Sequence, residues 1–356
     1  MHKIISGIQQ IGIGVRNVEE AWRWYLTAFG NDVRVFEDKT VAELMLPYTG
    51  GQPQERHAAL AINLQGGGGF EIWQYRGRTP EGPNFEIQLG DLGIYAAKIK
   101  CKNIQETWDY YKKNNIETVT EIKENPNGEK VFFIRDPFNN IFQLVEAKDW
   151  FKNEKKPTGG TYGAVIGVSD INKSLAVYKD ILGYDQVVYD TENTFEDFNG
   201  LPGGESKFRR VLLRHTADRK GPFAVMLGHS EIELVEVKDR AGRKIFENRL
   251  WGDLGFIHLC FDIQNMQALG KECQEKGFKF TVDSNPEPDT SFDMGDAAGH
   301  FTYIEDPDGA LIEFVETHKV PIAKKYGWFI NIKKRDPEKS LPKWMLKALG
   351  LNRVKF

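Results

Sequence analysis

The sequence predicts an α+β fold in which one strand–helix–three-strand unit occurs four times. Three observations predict it: an internal repeat, a recurring change from helical to alternating hydrophobic pattern, and a charged linker near the middle. The segment GIGVRNVEEAWRWYLTAFG (12–30) aligns without a gap on VIGVSDINKSLAVYKDILG (165–183), setting Val15 on Val168, Tyr25 on Tyr178 and Gly30 on Gly183. LGIYAAKIKCKNIQETWDYYKKNNI, from Leu92, aligns on LGFIHLCFDIQNMQALGKECQEKGF, from Leu254, and both begin within the tetrapeptide GDLG. Downstream, IRDPFNNIFQLVE (134–146) matches IEDPDGALIEFVE (304–316). A two-unit block is therefore duplicated, giving domains at 1–150 (units one and two) and 160–318 (units three and four). EAKDWFKNEKKPTGGTYG, charged and containing Pro and Gly, joins them as a linker. A basic extension, 319–356, follows.

Each unit opens with a short alternating strand, turns, and runs into an amphipathic helix; in units one and three that helix ends on glycine, as helices often do. Three strands complete it. The last strands, FEIWQY, IFQLVE, EIELVE and LIEFVE, each carry an acid or amide among apolar residues, at Glu71, Gln143, Glu233 and Glu313. Because strand side chains alternate, the faces of each first strand can be read separately. In unit one Ile11, Ile13 and Val15 share a face that packs on the helix, leaving Gln10, Gly12 and Gly14 on the other. Glycines with one polar group supply what a cavity floor needs, room and a ligand. Unit four sets Leu259, Phe261 and Ile263 toward its helix and His258, Cys260 and Asp262 on the open face. His258 occupies the position of Gln10; in units two and three that position is Ala96 and Gly163, which cannot ligate anything.

Composition narrows the function class. A chain of 356 residues supports self-sufficient cores. With 47 basic and 51 acidic residues and a net charge of −4, it carries no footprint for nucleic acid or an acidic polymer, so a small-molecule substrate is the expectation. The N-terminal stretch lacks the features of a leader, and no apolar run is long enough to cross a bilayer, so the expected setting is cytoplasmic, as a monomer or homodimer. Cys101, Cys260 and Cys273 have no CxxC spacing and an odd count, which argues against disulfides and structural zinc and for buried thiols.

The repeated βαβββ unit, the His or Gln of its first strand, the DPDG turn at Asp306 to Gly309 and the following Glu resemble the vicinal oxygen chelate superfamily. That group includes glyoxalase I, epimerases, extradiol dioxygenases and resistance proteins. The resemblance covers residues 6 to 317 and implies two cupped mixed sheets with helices on the outer face. In the family two units form one cup, and each supplies a first-strand and a last-strand residue to one divalent metal. Carried over, the slots are Gln10 and Glu71, Ala96 and Gln143, Gly163 and Glu233, and His258 and Glu313.

Two pairings of units are possible. If neighbours pair, Glu233, His258 and Glu313 share one cup, and Gln10, Glu71 and Gln143 make a poor second site. If the outer units pair, Gln10, Glu71, His258 and Glu313 make a full ligand set, and the inner cup, formed from Ala96, Gln143, Gly163 and Glu233, has lost its metal. The second arrangement is favoured, because it explains why only the first and last units retain two ligands each. Glu71 and Glu313 in apolar strands would be costly to bury unpaired, which makes a cation a natural partner.

A site of imidazole, amide and carboxylates suits Zn, Fe, Mn, Co or Ni. The resemblance implies a glyoxalase-type lyase or an isomerase or epimerase, working through a metal-bound enediolate on a small substrate with neighbouring oxygens. Glu313 or Glu71 would act as general base. An Fe(II) ring-cleaving dioxygenase is the alternative, with Tyr303 in place of the relatives' second-sphere tyrosine but Gly163 where they carry a histidine; a non-catalytic, resistance-type binding protein is another. The Gly66–Gly69 run precedes a strand and reads as a hairpin turn rather than a phosphate cradle. Arg209 and Arg210 either meet an anionic substrate or face water. The basic extension, with Trp328, Trp344, Leu346 and Leu349, is expected to fold back over the sheet rather than lie on a membrane.

Overall fold

The computed structural model describes residues 2–287, 291–293, 298–323 and 328–356. Part of the 284–300 loop and the side chain of Trp328 thus lie outside the described residues. Unit one comprises β1 (Ile4–Gly14), α1 (Val18–Phe29), β2 (Val33–Ala42), β3 (Gln54–Ile62) and β4 (Gly69–Tyr75). Unit two comprises β5 (Gly93–Cys101), α2 (Ile104–Lys113), β6 (Glu117–Thr118), β7 (Lys123–Glu124), β8 (Lys130–Arg135) and β9 (Ile141–Glu146). Unit three has β10 (Thr158–Gly167), α3 (Ile171–Leu175, continued by a π turn over Ala176–Ile181), β11 (Gln186–Asn193), β12 (Phe208–Arg214), the short α4 (Ala224–Leu227) and β13 (Glu231–Val237). Unit four has β14 (Gly255–Gln264), α5 (Met266–Glu275), β15 (Val282–Asp283), β16 (Phe292–Asp293), β17 (Ala298–Glu305) and β18 (Leu311–Ala323). The extension adds β19 (Trp328–Asn331) and α6 (Lys343–Ala348).

Helices α1, α2 and α3 begin where an Asn or Asp can cap them. Asn17, Asn103 and Asp170 each accept from backbone N–H groups of the first turn, offsetting donors that have no partner inside the helix. Gly30 closes α1 at φ 65°, a left-handed conformation that glycine adopts without a Cβ penalty.

Within every unit the first strand runs parallel to the last, as β1–β4, β5–β9, β10–β13 and β14–β18. Between units the pairing is outer with outer and inner with inner. β1 lies antiparallel to β14, with Gly12 opposite His258, and β5 lies antiparallel to β10. Two mixed sheets result, one ordered β15-β17-β18-β14-β1-β4-β3-β2 and one ordered β11-β12-β13-β10-β5-β9-β8-β6. Each sheet takes strands from both duplicated blocks. The repeated GDLG tetrapeptides secure the crossing connections. Asp91 and Asp253, both buried, accept from Arg240 and Arg78 at 2.7 Å each, so each connection is tied to the other block's strand end.

The faces read from alternation hold. Ile11, Ile13, Leu259, Phe261 and Ile263 enter one continuous core with the helices, which lie between the two sheets. Phe29 of α1 packs on Phe70 of its own sheet at 5.9 Å between ring centroids and on Phe142 of the other sheet at 4.8 Å. Such aromatic pairs add roughly 0.5–1.5 kcal/mol beyond burial. The three cysteines are buried and free. Gly67 and Gly68 turn β3 into β4 with positive φ, as a hairpin requires. Among the described residues no helix is long and apolar enough to cross a membrane.

Candidate metal centre

Pairing β1 with β14 places the open faces of units one and four in one cup. Gln10 and Glu71 from the first unit and His258 and Glu313 from the last converge there, all buried. His258 Nε2 stands 3.1 Å from Glu313 Oε2 and 3.4 Å from Glu71 Oε2; Gln10 Nε2 is 3.3 Å from Glu71 Oε2 and 3.4 Å from Glu313 Oε2. One ligand atom from each of Glu71, His258 and Glu313 fits within 4.8 Å of the others. Gly12 is what makes the room: a Cβ on it would sit 2.3 Å from the His258 ring.

Electrostatics and geometry at this cluster fit a cation. Burial opposes the imidazolium of His258, but the Glu313 and Glu71 carboxylates outweigh it and lift the group to about 9. Burial likewise opposes ionised Glu313, and His258 and Tyr303 bring it below the usual carboxylate range. Neither His258 ring nitrogen is in hydrogen-bonding geometry despite the short distances, and Gln10 Oε1 is buried without a partner. Ring nitrogen and carboxylate oxygens close together but not aimed at each other are what a shared central ion requires. A half-turn of the Gln10 amide would present Oε1 where Nε2 now lies. Among the described residues no lysine or arginine pairs with Glu71 or Glu313. Tyr303 Oη donates to Glu313 Oε1 at 2.8 Å and fixes that carboxylate.

The inner cup shows the opposite solution. Ala96 and Gly163 are inert, and a Cβ on Gly163 would lie 1.7 Å from the Glu231 carbonyl oxygen. Gln143 is buried with both amide atoms unpartnered. Glu233 is taken up by protein cations: Arg210 Nη2 at 2.6 Å and Lys98 Nζ at 2.9 Å, with Tyr189 Oη donating at 2.7 Å. Burial would raise Glu233, yet Arg210 and Lys98 bring it down to about 2. Arg210 therefore faces neither substrate nor water. It is buried between Glu233 and Asp197, while Arg209 pairs with Asp190. Sequence reasoning passed over Lys98, although it stands two residues after Ala96 on the same strand face.

Two further aromatic residues surround the outer site. The Trp251 ring lies parallel to His258, 6.1 Å between centroids, and perpendicular to Trp73 at 4.8 Å. Both indole Nε1 atoms are buried and have no hydrogen-bond partner among the described residues. The available signal was a tryptophan directly before the second GDLG, where the first copy has Leu89.

Paired βαβββ units that cup buried His, Glu and Gln side chains define a class of fold, and sequence comparison names the family. The chain belongs to the Glyoxalase/Bleomycin resistance protein/Dioxygenase superfamily, whose profile matches residues 7–144 and 163–314. No curated protein matches the sequence significantly. Among solved structures, a point mutant of glyoxalase I from Zea mays is similar at TM-score 0.51 and 13% identity, over 88% of this chain and 92% of that one. A protein from Bacillus subtilis named only provisionally as a dioxygenase is similar at TM-score 0.53 and 15% identity, over 88% and 86%. At these identities the likeness is one of fold.

Proposed function

We propose that this chain is a metal-dependent lyase or isomerase of glyoxalase type, acting on a small substrate with neighbouring oxygens, and that Gln10, Glu71, His258 and Glu313 hold its divalent cation. One observation carries the reading. Two buried carboxylates share a cup with an imidazole and an amide, and among the described residues no lysine or arginine pairs with them, whereas the inner cup answers its own acids with Lys98, Arg210 and Arg214. Bound there, a divalent ion would supply Lewis acidity toward two adjacent substrate oxygens.

The chain's own groups then divide the work. Glu313 is anchored by Tyr303 and stays in place as a ligand. Glu71 has only contacts of 3.3 and 3.4 Å, so it is free to turn toward a substrate C–H next to a carbonyl and take the proton as general base.

The test is metal analysis of purified protein together with Glu71→Ala and Glu233→Ala, followed by proton exchange of a 2-hydroxy carbonyl compound in deuterated water. Metal should be lost in Glu71→Ala and kept in Glu233→Ala, and exchange should vanish with EDTA and in Glu71→Gln. Full exchange in metal-free protein would refute the proposal. Oxygen uptake with a catechol would assign the site to ring cleavage instead, a reading supported by the Tyr303–Glu313 bond and weakened at the second imidazole position: Gly163, where the resemblance set it, lies in the other sheet, and β1 brings the amide of Gln10 to His258 instead.

A further inference from the structure

The two cups are built on one plan, so any residue that the metal-bearing cup has and the other lacks is not demanded by the fold. Position by position, Trp73 in β4 corresponds to Val235 in β13, each two residues beyond the strand's glutamate. Trp251 corresponds to Leu89, each directly before GDLG. Val235 and Leu89 fill their cup as plain core. In the outer cup the same places hold two tryptophans whose indole N–H groups are buried and unpaired. Leaving a buried donor unpaired is costly, and a fold satisfied by Val and Leu gains nothing from it. The donors are therefore kept for something that enters the cup.

The surroundings say what kind of molecule that is. Trp251 lies parallel to the His258 ring and edge-on to Tyr303, which makes a flat, aromatic wall beside the proposed metal ligands. A cavity of about 430 Å³, within the range of small-molecule sites, meets this wall from outside at Trp251 alone, and Tyr48, Phe246 and Leu311 line it together with Lys244, Glu247 and Arg249. Arg56, which shares the sheet face of Trp73 and Tyr75, is already paired with Asp38 at 2.8 Å. Within the wall itself Trp73, Trp251 and Tyr303 offer ring faces and the two indoles neutral donors, while the charged groups line the cavity outside it.

Resting on the metal-site reading above, we propose that Trp73 and Trp251 are the specificity-determining residues of the outer cup, and that they select a planar, aromatic vicinal-oxygen compound whose further oxygen accepts from an indole N–H.

The test compares two hydroxamates, both presenting adjacent oxygens, by calorimetric titration of the metal-loaded protein: benzohydroxamate, with a ring, and acetohydroxamate, without one. Each is corrected for its affinity toward the same ion in water. Benzohydroxamate should bind at least about tenfold tighter, the scale of one good aromatic contact. Trp251→Leu and Trp73→Val, substitutions taken from the inner cup so that the fold tolerates them, should together reduce that preference below about threefold. Metal content and acetohydroxamate affinity should stay as in wild type. Equal binding of the two compounds by wild type, or a preference that survives both substitutions, overturns the proposal. If protein that holds its metal binds neither compound, the chelating site itself is wrong and this proposal falls with it.

Discussion

Tyr25 Oη donates to Asp136 Oδ2 at 2.9 Å, and Tyr178 repeats the bond to Asp306 at the same distance. Each bond joins a helix on one sheet to the Asp-Pro turn of the other, since α1 belongs with β1 while Asp136 precedes β9, and α3 with β10 while Asp306 precedes β18. The other oxygen of each aspartate accepts two backbone N–H groups of its turn. Burial still pushes both carboxyls up to about 6. Losing the hydroxyl would leave a buried carboxylate short of a donor. Tyr25→Phe and Tyr178→Phe should each cost about 1–3 kcal/mol in chemical denaturation. They share no partner, so the double variant should lose the sum. Metal content should not change; a metal loss in either variant would show that the interlock also shapes the cup.

Lys98 deserves the place a metal would take in the inner cup, because its Nζ bridges Glu231 at 2.8 Å and Glu233 at 2.9 Å. Burial disfavours its charge, but the two carboxylates outweigh that and raise it. Removing one member of a buried ionic network strands the others, so Lys98→Met should destabilise by about 3–5 kcal/mol. Denaturation midpoints measure this. Metal stoichiometry should be that of wild type, and a gain of a second metal in Lys98→Met would show that the inner cup lost its ion only to this lysine.

The fold was legible because period and repeat are written in short range. Val15 on Val168 and Tyr25 on Tyr178 need only alignment, and the alternation of β1 and β14 assigns both faces correctly. Which units share a cup was legible only through chemistry: acids in the last strands made sense if Gln10 and His258 met, and Gly12 opposite His258 confirms the meeting. What escaped were groups whose role depends on distant partners. Lys98 reads as an ordinary strand lysine until Glu231 and Glu233 arrive from 133 and 135 residues away in sequence. Arg210 resembles Arg209 until one is buried and the other is not, and Trp251 sits in a connection with no period at all.

The basic extension folds back on the protein. Leu341 and Leu346 are buried with Leu60 and Ile62 of β3 and with Met226 and Leu227 of α4, and Arg353 bonds to Asp32 and Glu154. Trp344, on the same short helix, is 64% exposed. Leu346→Ala should therefore cost about 2–5 kcal/mol, the usual range for a buried leucine. Trp344→Ala should stay within about 0.5 kcal/mol. Thermal unfolding of the two variants separates a structural strap from a loosely attached tail; equal, negligible effects would mean that the strap contributes nothing.

Asp262 gives the chain a pH dependence of its own. It lies on the cup face of β14, fully buried, and neither carboxylate oxygen has a hydrogen-bond partner among the described residues. Burial pushes it up to about 8, and Ser6, near but not in hydrogen-bonding geometry, offsets little of this. An unfolded aspartate titrates near 3.9, so between about pH 4 and pH 8 the folded chain binds more protons than the unfolded one. Stability must then fall as pH rises through that window and level off above it, by on the order of a few kcal/mol. Asn has the shape of the protonated acid and no charge to desolvate. In Asp262→Asn the decline between pH 6 and 8 should shrink to the share of His258, which is lifted to about 9, since Asp136 and Asp306 account only for the part below about 6. The variant should be the more stable protein at pH 8 and close to wild type at pH 4. Denaturation at pH 5, 7 and 8.5 decides it: parallel curves for the two proteins would place the proton elsewhere.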